Sequence, residues 1–168
     1  MAFELPDNLH PDCGPVAWLL GTWRGNGHGD YPTIESFQFG QELIFTHDGR
    51  PFFHYFSRSW IIDPETHEKV RDSALETGFL RCRPDGEVEL VLTHNTGIVE
   101  IWYGKAEGGK LELATDAVAR TESAKEYVGG TRLYGNVEGD LLYAFDMAAM
   151  GQAMQPHLWA RLQRATRD

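Results

Sequence analysis

The sequence predicts an all-β fold in which about ten antiparallel strands close into an up-and-down barrel behind one short N-terminal helix. Two observations carry this prediction. Apolar and polar residues alternate with a period of two through about ten segments, and short turns rich in glycine join these segments without helical crossovers. Strands joined in this way form an antiparallel meander, and a sheet of this size usually closes on itself to remove its exposed edges.

The N-terminal helix is predicted over residues 12–20, where Val16, Leu19 and Leu20 supply an apolar face. Residues 21–29 then alternate glycine with larger side chains, a pattern that a strand tolerates where another backbone comes close. Trp23 in this segment is expected to pack near the helix at the closed end of the barrel. The remaining strands are predicted at residues 34–46, 51–62, 77–83, 88–93, 98–104, 110–115, 131–137, 141–147 and 158–164.

Turn signals separate these strands. The Asp48-Gly49 and Asp85-Gly86 pairs are typical of tight hairpins, and prolines interrupt the pattern at residues 30–33 and 63–67. Glycines mark two further turns at residues 107–109 and 138–140. The interior of a barrel widens with strand number, so about ten strands leave room for a bulky ligand such as a fatty acid or a porphyrin.

The composition and net charge of the chain limit the classes of function that the protein could have. The length of 168 residues and the absence of a low-complexity linker indicate one domain over residues 1–168. Fifteen basic and 25 acidic residues give a net charge of -10, which disfavours nucleic acids and anionic membrane surfaces as partners. Cys13 and Cys82 lack metal-pair spacing, and no apolar run is long enough to cross a bilayer. We therefore expect a cytoplasmic protein with free thiols.

The best candidate metal ligand is His157, which follows Pro156 at the entrance of the last predicted strand. Three methionines, Met147, Met150 and Met154, precede it. A lone imidazole beside thioethers suits a flat apolar cofactor that carries iron. The alternative is that His157 only caps a turn at the strand entrance.

The alternation of the last strand conflicts with this role for His157. If Leu158, Ala160 and Leu162 face the core, strict alternation turns His157 towards the outside of the barrel. A bend at residues 155–156 or a bulge at the strand entrance would direct the imidazole back into the open end. We therefore predict an irregularity at this point.

The segment GTWRGNG at residues 21–27 resembles the GxWxGxG signature of the nitrobindin family, haem-binding barrels related in shape to fatty-acid-binding proteins and lipocalins. The resemblance runs in order along the chain. The other matching segments are residues 31–34, 76–81, 96–97, 124–126, 147–149 and 156–158. As a set, these matches are far more specific than a bare GxW.

The resemblance implies a ten-stranded barrel that binds haem b, with His157 as the axial ligand of the iron. Thr33 and Lys125 match positions that lie beside the haem, and Lys125 would pair with a propionate through its ammonium charge. Met147 lies in a matching segment next to the cofactor. Two simpler interpretations stay open, since Thr33 could be only a turn hydroxyl and Lys125 only a solvated charge at a strand edge.

One position departs from the family pattern. Members often carry a histidine two residues before the glutamate of the Glu-Thr-Gly segment, where this chain has Ala74. His94 could replace it in the pocket, although its spacing alone favours an exposed turn histidine. The other histidines show no mutual ligand spacing.

The function that the resemblance implies is a ferric haem protein that binds nitric oxide and isomerises peroxynitrite to nitrate. The cofactor carries this chemistry, and the protein contributes the axial ligand, the pocket and access. The competing function is a carrier that holds a fatty acid or another apolar small molecule without catalysis. Assembly as a homodimer is left open.

Overall fold

The computed structural model describes residues 3–165 of the chain. A 3-10 helix at Pro11–Leu19 precedes ten strands. The strands are β1 (Gly21–Tyr31), β2 (Ile34–Thr46), β3 (Phe52–Ile62), β4 (Lys69–Cys82), β5 (Glu87–His94), β6 (Ile98–Glu107), β7 (Lys110–Arg120), β8 (Tyr127–Val137), β9 (Asp140–Ala149) and β10 (Gln155–Arg164).

The ten strands form a closed antiparallel barrel, as the sequence predicts. Each strand pairs with its neighbours in the chain, and β10 returns to pair with β1. The helix covers the end of the barrel where β1 begins. Odd-numbered strands therefore run from this closed end to the open end, and even-numbered strands run back.

Several strands extend further towards the open end than the sequence pattern indicates. β4 begins at Lys69 rather than at residue 77, β7 continues to Arg120, and β8 begins at Tyr127. The predicted turn at residues 30–33 shrinks to Pro32 and Thr33. Near the mouth, residues on both faces of a strand meet water or the cavity, so apolar and polar residues no longer alternate there.

The closed end holds the apolar core, with Trp23 at its centre. Trp23 is completely buried, and its indole N–H donates to the Leu19 carbonyl oxygen at 2.8 Å, which ties β1 to the helix as predicted. A Cβ atom at Gly25 would lie 2.3 Å from the Arg161 carbonyl oxygen. The glycine alternation in β1 thus permits the close approach of β10.

A buried ion pair between Glu76 and Arg132 crosses the lumen, and we call it the crossbar. The two guanidinium nitrogens of Arg132 contact the two carboxylate oxygens of Glu76 at 2.8 and 2.9 Å. Because Glu76 lies on β4 and Arg132 on β8, four strands away around the barrel, the pair joins opposite walls. The guanidinium also lies over the rings of Trp102 and Phe145, at 4.8 and 5.0 Å from their centroids.

The crossbar marks the boundary between two parts of the interior. Both of its residues line a cavity of about 630 Å³ that opens at the mouth. The fully buried leucines towards the closed end do not line it: Leu19, Leu43, Leu80, Leu92, Leu111, Leu141 and Leu162. The crossbar is therefore the floor of the cavity and the upper limit of the apolar core. Among residues 3–165, no helix is both long and apolar enough to cross a membrane.

The crossbar predicts how stability depends on pH. Burial alone would raise the pKa of Glu76, but the charge and hydrogen bonds of Arg132 outweigh it and lower that pKa to about 2. A carboxylate with a lowered pKa stabilises the fold above its unfolded pKa of 4.5, and this contribution disappears as the pH falls towards 2. The difference corresponds to about 3 kcal/mol in the free energy of unfolding. Urea unfolding at a series of pH values measures it.

Glu76→Gln should remove this part of the pH dependence, because the amide does not titrate. The matched control is Glu112→Gln, which changes a glutamate whose side chain is 64% exposed and should leave the pH dependence close to that of the wild type. An unaltered pH dependence in Glu76→Gln between pH 4.5 and pH 2 would contradict the assignment.

Candidate functional site

The cavity at the mouth of the barrel brings together all five residues that the sequence singles out. His157, Thr33, Lys125, Met147 and His94 all line it, although they lie on different strands and loops. Its lining is apolar around His157, and its polar groups lie at the floor, at the rim and along β3 to β6. A largely apolar cavity of this size with a few polar groups is typical of a cofactor site.

A bulge in β10 directs His157 into the cavity. Pro156 pairs with Asp146 of β9 and Leu158 pairs with Phe145, so His157 is an extra residue without a partner of its own on β9. The irregularity predicted at this strand entrance is therefore confirmed. The additional residue changes the alternation, so His157 and Leu158 both line the cavity.

The imidazole of His157 is held in one tautomer. Its Nδ1 lies 3.0 Å from the backbone carbonyl oxygen of Asp30. A carbonyl oxygen can only accept, so Nδ1 carries the proton and donates it, which leaves the lone pair of Nε2 free. Burial lowers the pKa of His157 against the opposing effect of Asp30, so the ring stays neutral at neutral pH. A neutral imidazole whose other nitrogen is bonded to a carbonyl is the usual state of a metal-binding histidine.

Three aromatic rings fix the orientation of this imidazole. Tyr31, Phe37 and Phe145 make edge contacts with His157, with centroid distances of 5.4, 6.4 and 5.8 Å. The Tyr31 hydroxyl is itself fixed to β9, because it accepts from the Ala149 N–H at 2.9 Å and can donate to the Met147 carbonyl oxygen at 3.1 Å. The side chain is thus oriented before any ligand arrives.

His94 lies on the wall opposite His157. β5 is five strands from β10 in either direction around the barrel, and His94 ends β5 at the open end, where β10 begins. The spacing argument for an exposed turn histidine is wrong, because His94 is the last residue of a strand and its side chain is only 17% exposed.

Both ring nitrogens of His94 face carboxylates. Nδ1 lies 3.3 Å from Glu76, and Nε2 lies 2.7 Å from Glu100. Carboxylates accept hydrogen bonds, so Nε2 donates to Glu100. Nδ1 lies against Glu76, so neither nitrogen is placed to donate to a ligand in the cavity.

Glu100, Glu76 and Arg132 are cavity residues that the sequence reasoning missed. The side chain of Glu100 is fully buried and accepts hydrogen bonds from His94, from the Tyr127 hydroxyl and from the Thr115 hydroxyl. For Glu100, the alternation of apolar and polar residues along β6 carried a signal. Glu100 stands between Ile98 and Trp102 on the inward face of β6, where a charged residue needs a buried partner.

Thr33, Lys125 and Ala74 lie around the rim. Thr33 belongs to the two-residue turn between β1 and β2, and Lys125 lies in the loop between β7 and β8, where its carbonyl oxygen accepts from Arg120 at 3.0 Å. Both side chains are exposed and both border the cavity. Their contact with a cofactor stays a prediction. Ala74 lines the cavity near His94, and its N–H donates to the Ser59 hydroxyl at 3.2 Å.

These residues fit a haem group. A porphyrin supplies four ligands to its iron, so one neutral imidazole with a free Nε2 completes the attachment. The apolar side chains around His157 suit the faces of a macrocycle, and the ammonium group of Lys125 at the rim suits a propionate. The side chains that would contact the macrocycle are Ile34, Phe37, Phe145, Met147 and Leu158.

Comparison with known proteins identifies relatives of this chain in sequence and in structure. A protein of Nocardioides sp. named peroxynitrite isomerase is 78% identical, with 98% of this chain and 99% of that protein covered. The ferric nitrobindin-like protein of Cutibacterium acnes is 43% identical, with 98% and 100% covered. The crystal structure of Rv2717c from M. tuberculosis superposes with a TM-score of 0.83 at 35% identity, covering 94% of this chain and 99% of that one.

The resemblance to nitrobindins stated from the sequence is therefore confirmed. The family described as the THAP4-like, heme-binding beta-barrel domain matches residues 12–164 of the chain. This match spans the helix and all ten strands of the barrel. The chain belongs to the family of THAP4-like, heme-binding beta-barrel domains.

Proposed function

We propose that this protein binds haem b through His157, isomerises peroxynitrite to nitrate and binds nitric oxide at the same site. The observation that carries the proposal is the state of His157, a neutral imidazole with a free Nε2 that faces an apolar cavity. The names of relatives at 78% and 49% identity, both peroxynitrite isomerase, support the reaction. The ferric state is supported by the name of the Cutibacterium acnes relative.

The residues of the chain have distinct roles in this proposal. His157 would ligate the iron, while the Asp30 carbonyl holds its tautomer and Tyr31 holds its orientation. Met147, Thr33 and Lys125 would help to hold the haem, with the ammonium group of Lys125 neutralising a propionate. The apolar side chains around His157 would exclude water from the reactants. A ferric haem, when bound, supplies a Lewis-acid site that small nitrogen oxides can reach.

The wall opposite His157 disfavours oxygen storage. Nε2 of His94 donates to Glu100, its Nδ1 lies against Glu76, and the Ala74 N–H donates to the Ser59 hydroxyl. A stable complex with dioxygen usually requires a hydrogen-bond donor near the iron. With His94 and Ala74 engaged in this way, the protein suits a ferric resting state.

A carrier of fatty acids is the competing function, and the apolar side chains around His157 favour it. A fatty acid also has a carboxylate, which would need a buried partner in the cavity. Arg132 at the floor already binds Glu76 with both of its terminal nitrogens. The floor therefore favours haem over a carboxylate ligand. The cytoplasmic location and the homodimer stay predictions.

His157→Ala should weaken hemin binding by roughly 100-fold or more, because it removes the axial ligand. The barrel should stay folded, since the residue lies at the mouth and not in the apolar core. Hemin titration followed at the Soret band measures the affinity, and circular dichroism checks the fold.

The matched control is His28→Ala. His28 is an exposed histidine on the outer face of β1 that stacks on Trp159, so its removal should leave hemin affinity unchanged. An unchanged Soret spectrum in His157→Ala would show that another residue holds the iron.

The hemin-loaded protein should accelerate the decay of peroxynitrite and raise the yield of nitrate. Stopped-flow absorbance follows the decay, and ion chromatography measures nitrate. Free hemin and His157→Ala serve as controls, because neither offers a ferric haem held in this cavity. Decay no faster than with free hemin would leave haem binding intact and remove the enzymatic function.

The reduced protein should return quickly to its ferric spectrum in air, because His94 and Ala74 donate elsewhere. Absorbance after removal of the reductant measures this return. A reduced spectrum that persisted for hours in air would contradict the assignment of the opposite wall.

A further inference from the structure

The carboxylate of Glu76 is held by the kind of contacts that would bind the carboxylate of a free ligand. Arg132 holds both of its oxygens, the Tyr55 hydroxyl donates to Oε1 at 2.6 Å, and Nδ1 of His94 lies 3.3 Å from Oε2. The four residues come from four different strands, β4, β8, β3 and β5. All four line the cavity, and Glu76 keeps 14% of its side chain exposed.

The three groups around Glu76 form an anion site. A guanidinium presents two parallel N–H groups that match a carboxylate and, by the same planar geometry, a nitrate. The Tyr55 hydroxyl adds a donor to Oε1, and the His94 ring lies beside Oε2. Arg132 is 7% exposed, and Tyr55 is 2% exposed, so the site is shielded from water and its charge needs a partner.

The positive charge at this site already has its partner, because the Arg132 guanidinium is paired with Glu76. Glu100 is a second carboxylate nearby, fully buried and 2.7 Å from Nε2 of His94. A further anion entering the cavity would add an uncompensated negative charge beside two buried carboxylates. Burying such a charge is unfavourable.

We propose that Glu76 is a specificity-determining residue: its carboxylate occupies the anion site of the cavity, so that neither a ligand carboxylate nor nitrate binds at the floor. This inference goes beyond the proposed reaction, since it concerns which molecules the cavity retains. An apolar molecule with a carboxylate at its inner end is excluded, and nitrate formed in the cavity has no buried site to hold it.

Glu76→Ala tests the proposal, because it removes one methylene and a carboxylate, a volume close to that of acetate. The full-length, hemin-loaded variant should melt about 10 °C lower than the wild type, since Arg132 loses its partner. Sodium acetate or sodium nitrate at 100 mM, on the order of what a weak small-ion site requires, should recover part of this loss. Neither salt should raise the melting temperature of the wild type.

Three controls separate a filled anion site from other effects. Acetamide and sodium chloride at the same concentration should not raise the melting temperature of Glu76→Ala. Glu76→Gln should be destabilised but not rescued, because its amide still fills the space. Glu76→Ala combined with Arg132→Met should not be rescued, because the guanidinium is gone. The Soret band of the hemin-loaded variant should not shift when acetate or nitrate is added. This distinguishes an anion bound at the floor of the cavity from an anion bound to the iron.

The proposal can be tested even if Glu76→Ala is unfolded as purified. In that case acetate, but not acetamide, should restore the circular dichroism spectrum of the barrel. Absence of rescue by acetate and nitrate would overturn the proposal. Equal stabilisation of the wild type, or rescue that persists in the variant lacking Arg132, would also overturn it.

Discussion

The interior of this barrel depends on one ion pair. Glu76 and Arg132 join walls four strands apart, and the cavity lies on one side of them while the apolar core lies on the other. A buried pair of charges is costly unless its polar atoms are hydrogen-bonded. Here the Tyr55 hydroxyl donates to Glu76 and Arg132 donates to the Tyr134 hydroxyl, while Nε of Arg132 has no partner among the described residues. The pair therefore sets how deeply a bound molecule can enter.

The mouth of the barrel depends on a second constraint, the alternation of a strand. A regular β10 could not present both His157 and the next residue inwards, and the bulge at His157 removes this restriction. The same irregularity brings the imidazole to the Asp30 carbonyl, which fixes its tautomer. One extra residue in a strand thus produces both the direction and the protonation state of the candidate ligand.

Much of this could be predicted from the sequence, because strand alternation, glycine positions and turn residues are local signals. The strands, the contact of Trp23 with the helix and the bulge at His157 follow from them. The crossbar could not be predicted, because Glu76 and Arg132 are 56 residues apart and meet only when the barrel closes. The surroundings of His94 were missed for the same reason, since Glu100 and Glu76 come from two neighbouring strands.

A crystal structure of the hemin-loaded protein is the most direct measurement of this arrangement. We expect the iron to be bonded to Nε2 of His157, the Nδ1 hydrogen bond to Asp30 to be kept, and the macrocycle to lie above an intact pair of Glu76 and Arg132. Iron bonded to another residue would contradict the role of His157. A macrocycle that displaced Glu76 from Arg132 would contradict the crossbar as the floor of the cavity.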